Sequence, residues 1–166
     1  MLHKERNYDF KKRLLTIHRD DVLDKTLTPE KNEYIITNGF NIILPDNFSE
    51  VITTAAKDFQ DYLFTSMEIS AMLSKDKKSS ANAVFLKISH DQKEDYIITF
   101  SETITVSGKN DRGVAQGLYC LEDKMNVRKA PFLKREEIRH TFMFSPRMVH
   151  PGYGVDEFPN EHLAAI

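Results

Sequence analysis

Ile104-Thr105-Val106-Ser107-Gly108-Lys109-Asn110-Asp111-Arg112-Gly113-Val114-Ala115-Gln116-Gly117-Leu118-Tyr119 decides the fold. It reads as a strand, a sharp glycine turn, a capped helix start and a helix with a glycine-lined face. Asn110 or Asp111 supplies the cap, because a short polar side chain accepts from the first free helical N–H groups. The helix runs from about Asp111 to Met125, with an apolar stripe at Val114, Leu118, Leu121 and Met125. Gly113 and Gly117 lie one turn apart on it. Each costs about 1 kcal/mol in helix propensity against alanine. The missing side chains let a backbone approach closely, and close packing against a sheet offsets that cost. Residues 108–113 also contain the glycines and lysine of a phosphate loop, but not its glycine spacing or its Lys-Ser/Thr pair. The segment is a packing element.

Working outward, Tyr96–Phe100 and Thr103–Val106 form a hairpin around Ser101-Glu102, preceded by a strand at Ala83–Ile88. Glu33-Tyr34-Ile35-Ile36-Thr37 is rich in β-formers and is followed by Asn38-Gly39, a strong short hairpin signal, since both positions tolerate positive φ. Phe40–Leu44 is the expected return strand, ended by Pro45. Asn47 or Ser49 caps the next helix, Ser49 to about Met67. There Ile52, Ala55, Ala56, Phe59, Tyr62 and Leu63 share one face, with Lys57, Asp58 and Asp61 off it. Ser74–Ser80 is a lysine- and serine-rich loop. The order is hairpin, helix, strand, hairpin, helix, strand. It predicts an α+β fold: a two-layer α/β sandwich with a mixed sheet and two helices on one face, followed by an extended C-terminal segment.

The 166 residues suit one domain and are short for two. Forty per cent hydrophobic residues fill a core, and 29 % charged residues suit a soluble surface. Net charge is -2 with both signs well mixed, which argues against nucleic-acid or membrane-surface binding through bulk charge. No run reaches the ~18 apolar residues that span a bilayer. Met1-Leu2-His3-Lys4-Glu5-Arg6 is no signal peptide, so the compartment stays open between cytoplasm and a chain trimmed of its signal. The lone Cys120 allows no internal disulfide or cysteine-only zinc site and reads as a small buried apolar residue. No cofactor is expected.

Residues 1–31 read as a polar N-terminal arm with one apolar cluster at Leu14, Leu15 and Ile17. The α/β domain then covers 32–134, and 135–166 reads differently. Arg135–Phe144 is extended and apolar at consecutive positions, which asks for cover on both faces. Loop signals follow at Ser145-Pro146-Arg147, Pro151-Gly152-Tyr153-Gly154 and Phe158-Pro159-Asn160.

Ile104–Met125, with Tyr34–Pro45 and Ser49–Leu63 in the same order, resembles the non-catalytic N-terminal domain of family 20 hexosaminidases. Related domains precede the barrel of α-glucuronidases. The resemblance spans roughly residues 33–147. Family 20 barrels commonly begin with an arginine, a glycine, several apolar residues, an aspartate and a second arginine eight positions after the first. Arg139-His140-Thr141-Phe142-Met143-Phe144-Ser145-Pro146-Arg147 matches both arginines, with His140 in place of the glycine and Phe144 in place of the aspartate. The departures fit a divergent family of the same architecture. By resemblance, Arg139 and Arg147 are substrate-binding residues, and 135–166 starts a catalytic (β/α)₈ barrel. The acid pair of that family lies on a later barrel strand, so this chain holds no catalytic residue.

From the residues themselves, Arg139 and Arg147 are able to hold a sugar hydroxyl or carboxylate, or to pair with Glu136, Glu137 or Asp156. Tyr153, Phe158 and His150 suit either a sugar-stacking platform or packing on a neighbouring domain. His140, His150 and His162 with Asp156, Glu157 and Glu161 match no metal-ligand spacing. The expected function is a non-catalytic domain of a carbohydrate-degrading glycoside hydrolase. Its partner is the remainder of the barrel, or another chain, through residues 138–166. The alternative is a free-standing protein-interaction or carbohydrate-binding module.

Overall fold

The computed structural model describes residues 15–75 and 82–143. One compact unit spans Asp20–Phe142. Its main sheet holds β2 (Phe40–Ile43), β3 (Ala71–Ser74), β4 (Ala83–Ile88), β5 (Tyr96–Phe100), β6 (Ile104–Gly108) and β8 (Ile138–His140). Their spatial order is β3-β2-β4-β6-β5-β8. β3, β2, β4 and β6 are mutually parallel, while β5 runs antiparallel to both β6 and β8. A second, two-stranded sheet pairs β1 (Glu33–Ile35) with β7 (Phe132–Lys134). Helices α1 (Glu50–Met67) and α2 (Asp111–Arg128) pack side by side on one face of the main sheet. The architecture is the expected α+β sandwich with a mixed sheet.

Both helices begin where their caps dictate. Ser49 Oγ accepts from Ile52 N, and Asn110 Oδ1 accepts from Gly113 N at 3.0 Å. The six residues expected on the face of α1 are all buried, as are Val114, Leu118, Leu121 and Met125 of α2. Opposite them, Phe40 and Ile42, Val84 and Leu86, Tyr96 and Ile98, and Ile104 and Val106 recur at strand period and close the core. The other sheet face carries half-buried Phe85, Thr105 and Ser107 and exposed Lys87 and Thr99.

The glycines seat α2 as expected. A Cβ on Gly113 would overlap the carbonyl oxygen of Asp95, one on Gly117 would overlap Val106 Cγ1, and one on Gly108 would overlap the Val114 main chain. β6, its turn and α2 therefore touch backbone to backbone.

The hairpin expected at Asn38-Gly39 is not formed. β1 pairs antiparallel with β7, and β2 pairs parallel with β3 and β4. Gly39 does adopt positive φ (78°), so the local turn chemistry holds. The Asn38 side chain, however, accepts from Ser70 N at 2.8 Å, and Gly39 N donates to Ser70 O. These bonds steer the chain round a corner from the small sheet into the large one. Buried Ile42 and Ile43 also suit a central parallel strand covered on both sides.

Candidate functional site

Of the two arginines expected to bind substrate, Arg139 is described and Arg147 lies outside the described residues, as do His150, Tyr153 and Phe158. Arg139 is the middle residue of β8, the edge strand, opposite Ile97 of β5. Its guanidinium is about half exposed and donates to Glu94 Oε1 at 2.8 Å; it also pairs with Glu137. Glu94 is thereby held below the ordinary carboxylate range, chiefly by the Arg139 hydrogen bond. Glu137 is one of the pairing partners the sequence offers.

The neighbours of Arg139 explain how β8 is fixed. His140 stacks on Tyr96 with ring centroids 5.1 Å apart, and Phe142 meets the His140 ring edge-on at 5.2 Å. Asp95 ties the segment down: its N–H donates to His140 O at 2.8 Å and its Oδ2 accepts from Phe142 N at 2.7 Å. A glycine at position 140 would have no ring to stack on Tyr96. Residues 138–142 thus pair and pack with the sheet, and Ile138 and Phe142 lie against its core.

Several recesses mark the described surface. A cleft of about 670 Å³ opens at the C-terminal ends of β2 and β4, where Asp46, Asn47, Phe85, Lys87 and His90 converge. Strand ends of parallel pairs are the usual place for ligands in open α/β sheets. A second groove of about 520 Å³ runs between the C-terminal half of α2 and β7, with half-buried Cys120 and Phe132 on its walls. Cys120 is thus less buried than its expected role as a core residue. Beside it, Arg128 Nε donates to buried Glu33 Oε1 at 2.7 Å, and Glu33 Oε2 accepts from Glu30 N, also at 2.7 Å. The Arg128 hydrogen bond leads the causes that hold the Glu33 carboxyl below its usual range. Arg128 also reaches Thr28 O at 3.0 Å, and Asp24 N donates to Lys129 O, so residues 24–33 hold to the end of α2.

Sequence reading missed Glu33, Arg128 and Glu122. Glu33 and Arg128 are 95 positions apart, and no local pattern joins them. Glu122 flanks the α2 stripe beside Leu121, where a charge ordinarily points to water; here it is buried. Among the described residues no group of three metal-ligating side chains is gathered.

No protein-family model matches the chain, and no curated protein matches it. Solved structures do. A GH138 enzyme targeting pectin rhamnogalacturonan II aligns with TM-score 0.57 and 14 % identity over 76 % of this chain and 20 % of its own. The GH20 β-N-acetylhexosaminidase from Streptomyces coelicolor A3(2) aligns with TM-score 0.56 and 17 % identity over 71 % of this chain and 25 % of its own. CpGH84D aligns with TM-score 0.52 and 13 % identity over 75 % of this chain and 24 % of its own. The chain spans a fifth to a quarter of the length of these structures. At these identities the likeness is one of fold, and the fold recurs in glycoside hydrolase chains.

Proposed function

We propose that this chain is a non-catalytic α/β domain of a glycoside hydrolase, set before a catalytic barrel for which residues 135–166 provide the lead-in. The observation that carries the reading is the shared fold over 70–76 % of the chain with hydrolases four to five times its aligned length. The domain would buttress the barrel through residues 138–166. Arg139 and Arg147 would reach the substrate sugar, with Glu94 orienting the Arg139 guanidinium. The matched enzymes are named for a pectic polysaccharide and for N-acetylhexosamine chemistry, so the substrate class is a carbohydrate and the linkage stays open.

The intact mass of the native polypeptide that carries this sequence tests the reading. A barrel adds roughly 250 residues, so a mass well above 19.2 kDa is expected. A native mass of 19.2 kDa overturns it.

A second reading, a carbohydrate-binding module, is favoured by the cleft at the ends of β2 and β4. There the half-buried Phe85 ring offers an apolar face and Asp46, Asn47 and His90 offer polar groups. Saturable shifts of the Phe85 and His90 NMR signals with free monosaccharides would support it, and their absence would count against it.

A further inference from the structure

The cleft at the C-terminal ends of β2 and β4 has its floor on the sheet face away from the two helices. Phe85 and Lys87 lie two residues apart on β4, so both belong to that face, while Val84 and Leu86 turn to the core. Strand pairing sets Thr105 of β6 beside Phe85 and Ser107 of β6 beside Lys87. Asp46 and Asn47, just beyond β2, and His90, just beyond β4, line the sides. The cleft measures about 670 Å³, within the range of small-molecule sites.

The groups in it are chemically distinct. Lys87 is exposed and makes no ion pair or hydrogen bond among the described residues. Its neighbour Ser107 is occupied elsewhere, donating through Oγ to Gln92 Oε1 at 2.8 Å. The half-buried Phe85 ring meets no other ring or cation among the described residues. His90 Nδ1 lies 3.2 Å from the Lys109 carbonyl oxygen. A carbonyl only accepts, so Nδ1 carries the proton and Nε2 of the neutral ring is an acceptor. Asp46 has an interaction of its own, and its negative charge disfavours a densely anionic ligand such as a phosphate. A ligand with hydroxyls beside a single carboxylate suits the set better.

Resting on the carbohydrate-binding reading of this cleft, we propose that the sugar it takes is a hexuronic acid. Lys87 Nζ meets the carboxylate, the Phe85 ring takes the apolar CH face of the pyranose, and Asp46, Asn47 and His90 Nε2 hold its hydroxyls. Strand spacing separates Phe85 and Lys87 by roughly 6.6 Å along β4. That is close to the reach from the centre of a sugar ring, through its carboxylate, to a hydrogen-bonded ammonium. A neutral hexose leaves Lys87 unused, and a small carboxylate such as acetate leaves the Phe85 ring unused. A hexuronate uses both.

The test is an NMR titration of the 166-residue chain with methyl β-glucuronide and methyl β-galacturonide, each against its neutral parent glycoside, and with acetate, all at constant ionic strength. Titration to about 50 mM saturates a site with a Kd of order 1 mM. At least one uronide is expected to shift the Phe85, Lys87 and His90 signals saturably and to bind about fivefold tighter than its parent, the gain that an exposed ion pair gives. Lys87→Met is expected to remove that difference, and because Lys87 is exposed the change leaves the core intact. Equal affinity for uronide and parent, or a difference that survives Lys87→Met, would overturn the uronate assignment and leave the carbohydrate reading standing. Acetate bound as tightly as the uronides would overturn it as well, reducing the cleft to a carboxylate site. No shift with any sugar at 50 mM would overturn both.

Discussion

Gly113 lies against the main-chain carbonyl of Asp95, so close that any Cβ there would overlap the oxygen. That carbonyl also accepts the Lys109 N–H at 2.9 Å, and the same residue binds His140 and Phe142 through its N–H and its carboxylate. One residue thus joins the start of β5, the turn before α2 and the edge strand β8. Gly113→Ala must push backbone against backbone and is expected to destabilise the domain by about 3 kcal/mol. Gly117→Ala meets the Val106 side chain instead and regains helix propensity, so its net cost is about 1 kcal/mol. The double variant Gly117→Ala/Val106→Ala should show a favourable coupling in urea denaturation. A cycle with no coupling would show that the contact is not the cause.

Glu33 and Arg128 predict behaviour in acid. The Glu33 carboxyl is held below its ordinary value near 4.5, first by the Arg128 hydrogen bond. A depressed folded-state value contributes stability above the unfolded value, and that contribution is lost as pH falls through the folded one. Glu33→Gln should therefore flatten the acid limb of melting temperature against pH below about 4.5. Arg128→Met should lower the melting temperature at pH 7, because it leaves a carboxylate with 1 % side-chain exposure unpaired. An acid limb unchanged in Glu33→Gln would refute the assignment.

Glu122 predicts the opposite slope. Burial first, then Asp58 and Asp123, push its carboxyl up to about 8. The unfolded chain therefore releases this proton before the folded one does. The stabilising contribution is complete below about pH 4.5, declines above it and is gone once pH passes about 8. Glu122→Leu should remove that decline and make the chain about 1–3 kcal/mol more stable at pH 8. Denaturation at pH 5, 6.5 and 8 reads both effects, and a wild-type stability that rises over this range through Glu122 would contradict the burial.

Lys129 ends α2 in the left-handed region, at φ 57°, without being glycine. Lys129→Gly relieves the Cβ crowding there and should raise stability by about 0.5–1 kcal/mol, while Lys129→Val should lower it. Thermal melts of the pair check the sign.

How far the fold is legible follows from where its information lies. The caps and stripes of α1 and α2 are local, and Ser49, Asn110 and each expected stripe residue are found in place. The β5–β6 hairpin is local too, and its register from Tyr96↔Gly108 to Phe100↔Ile104 encloses Ser101-Glu102 as expected. Asn38-Gly39 has hairpin chemistry, and that alone makes β1 and β2 look like partners. Residues far away, Ser70 and β7, decide otherwise, and no window around Gly39 contains them. β3 is a four-residue edge strand held by pairing with β2 and by a Gln60 hydrogen bond to Ala71 O, so its own residues carry little signal.

The site is less legible than the fold. Arg139 stands out by its spacing from Arg147, but its partner Glu94 is 45 positions away and is brought near by β5–β8 pairing. The burial of Glu122 arises where two helices meet, and a single helical wheel does not display that seam.

The central claim, a hydrolase domain without its own chemistry, meets its most direct test in an assay of the purified 166-residue chain on p-nitrophenyl glycosides, including the N-acetyl-β-glucosaminide. The account predicts p-nitrophenol release no faster than in buffer, for wild type and Arg139→Ala alike. Saturable turnover that co-purifies with the chain and is lost in Arg139→Ala would contradict it.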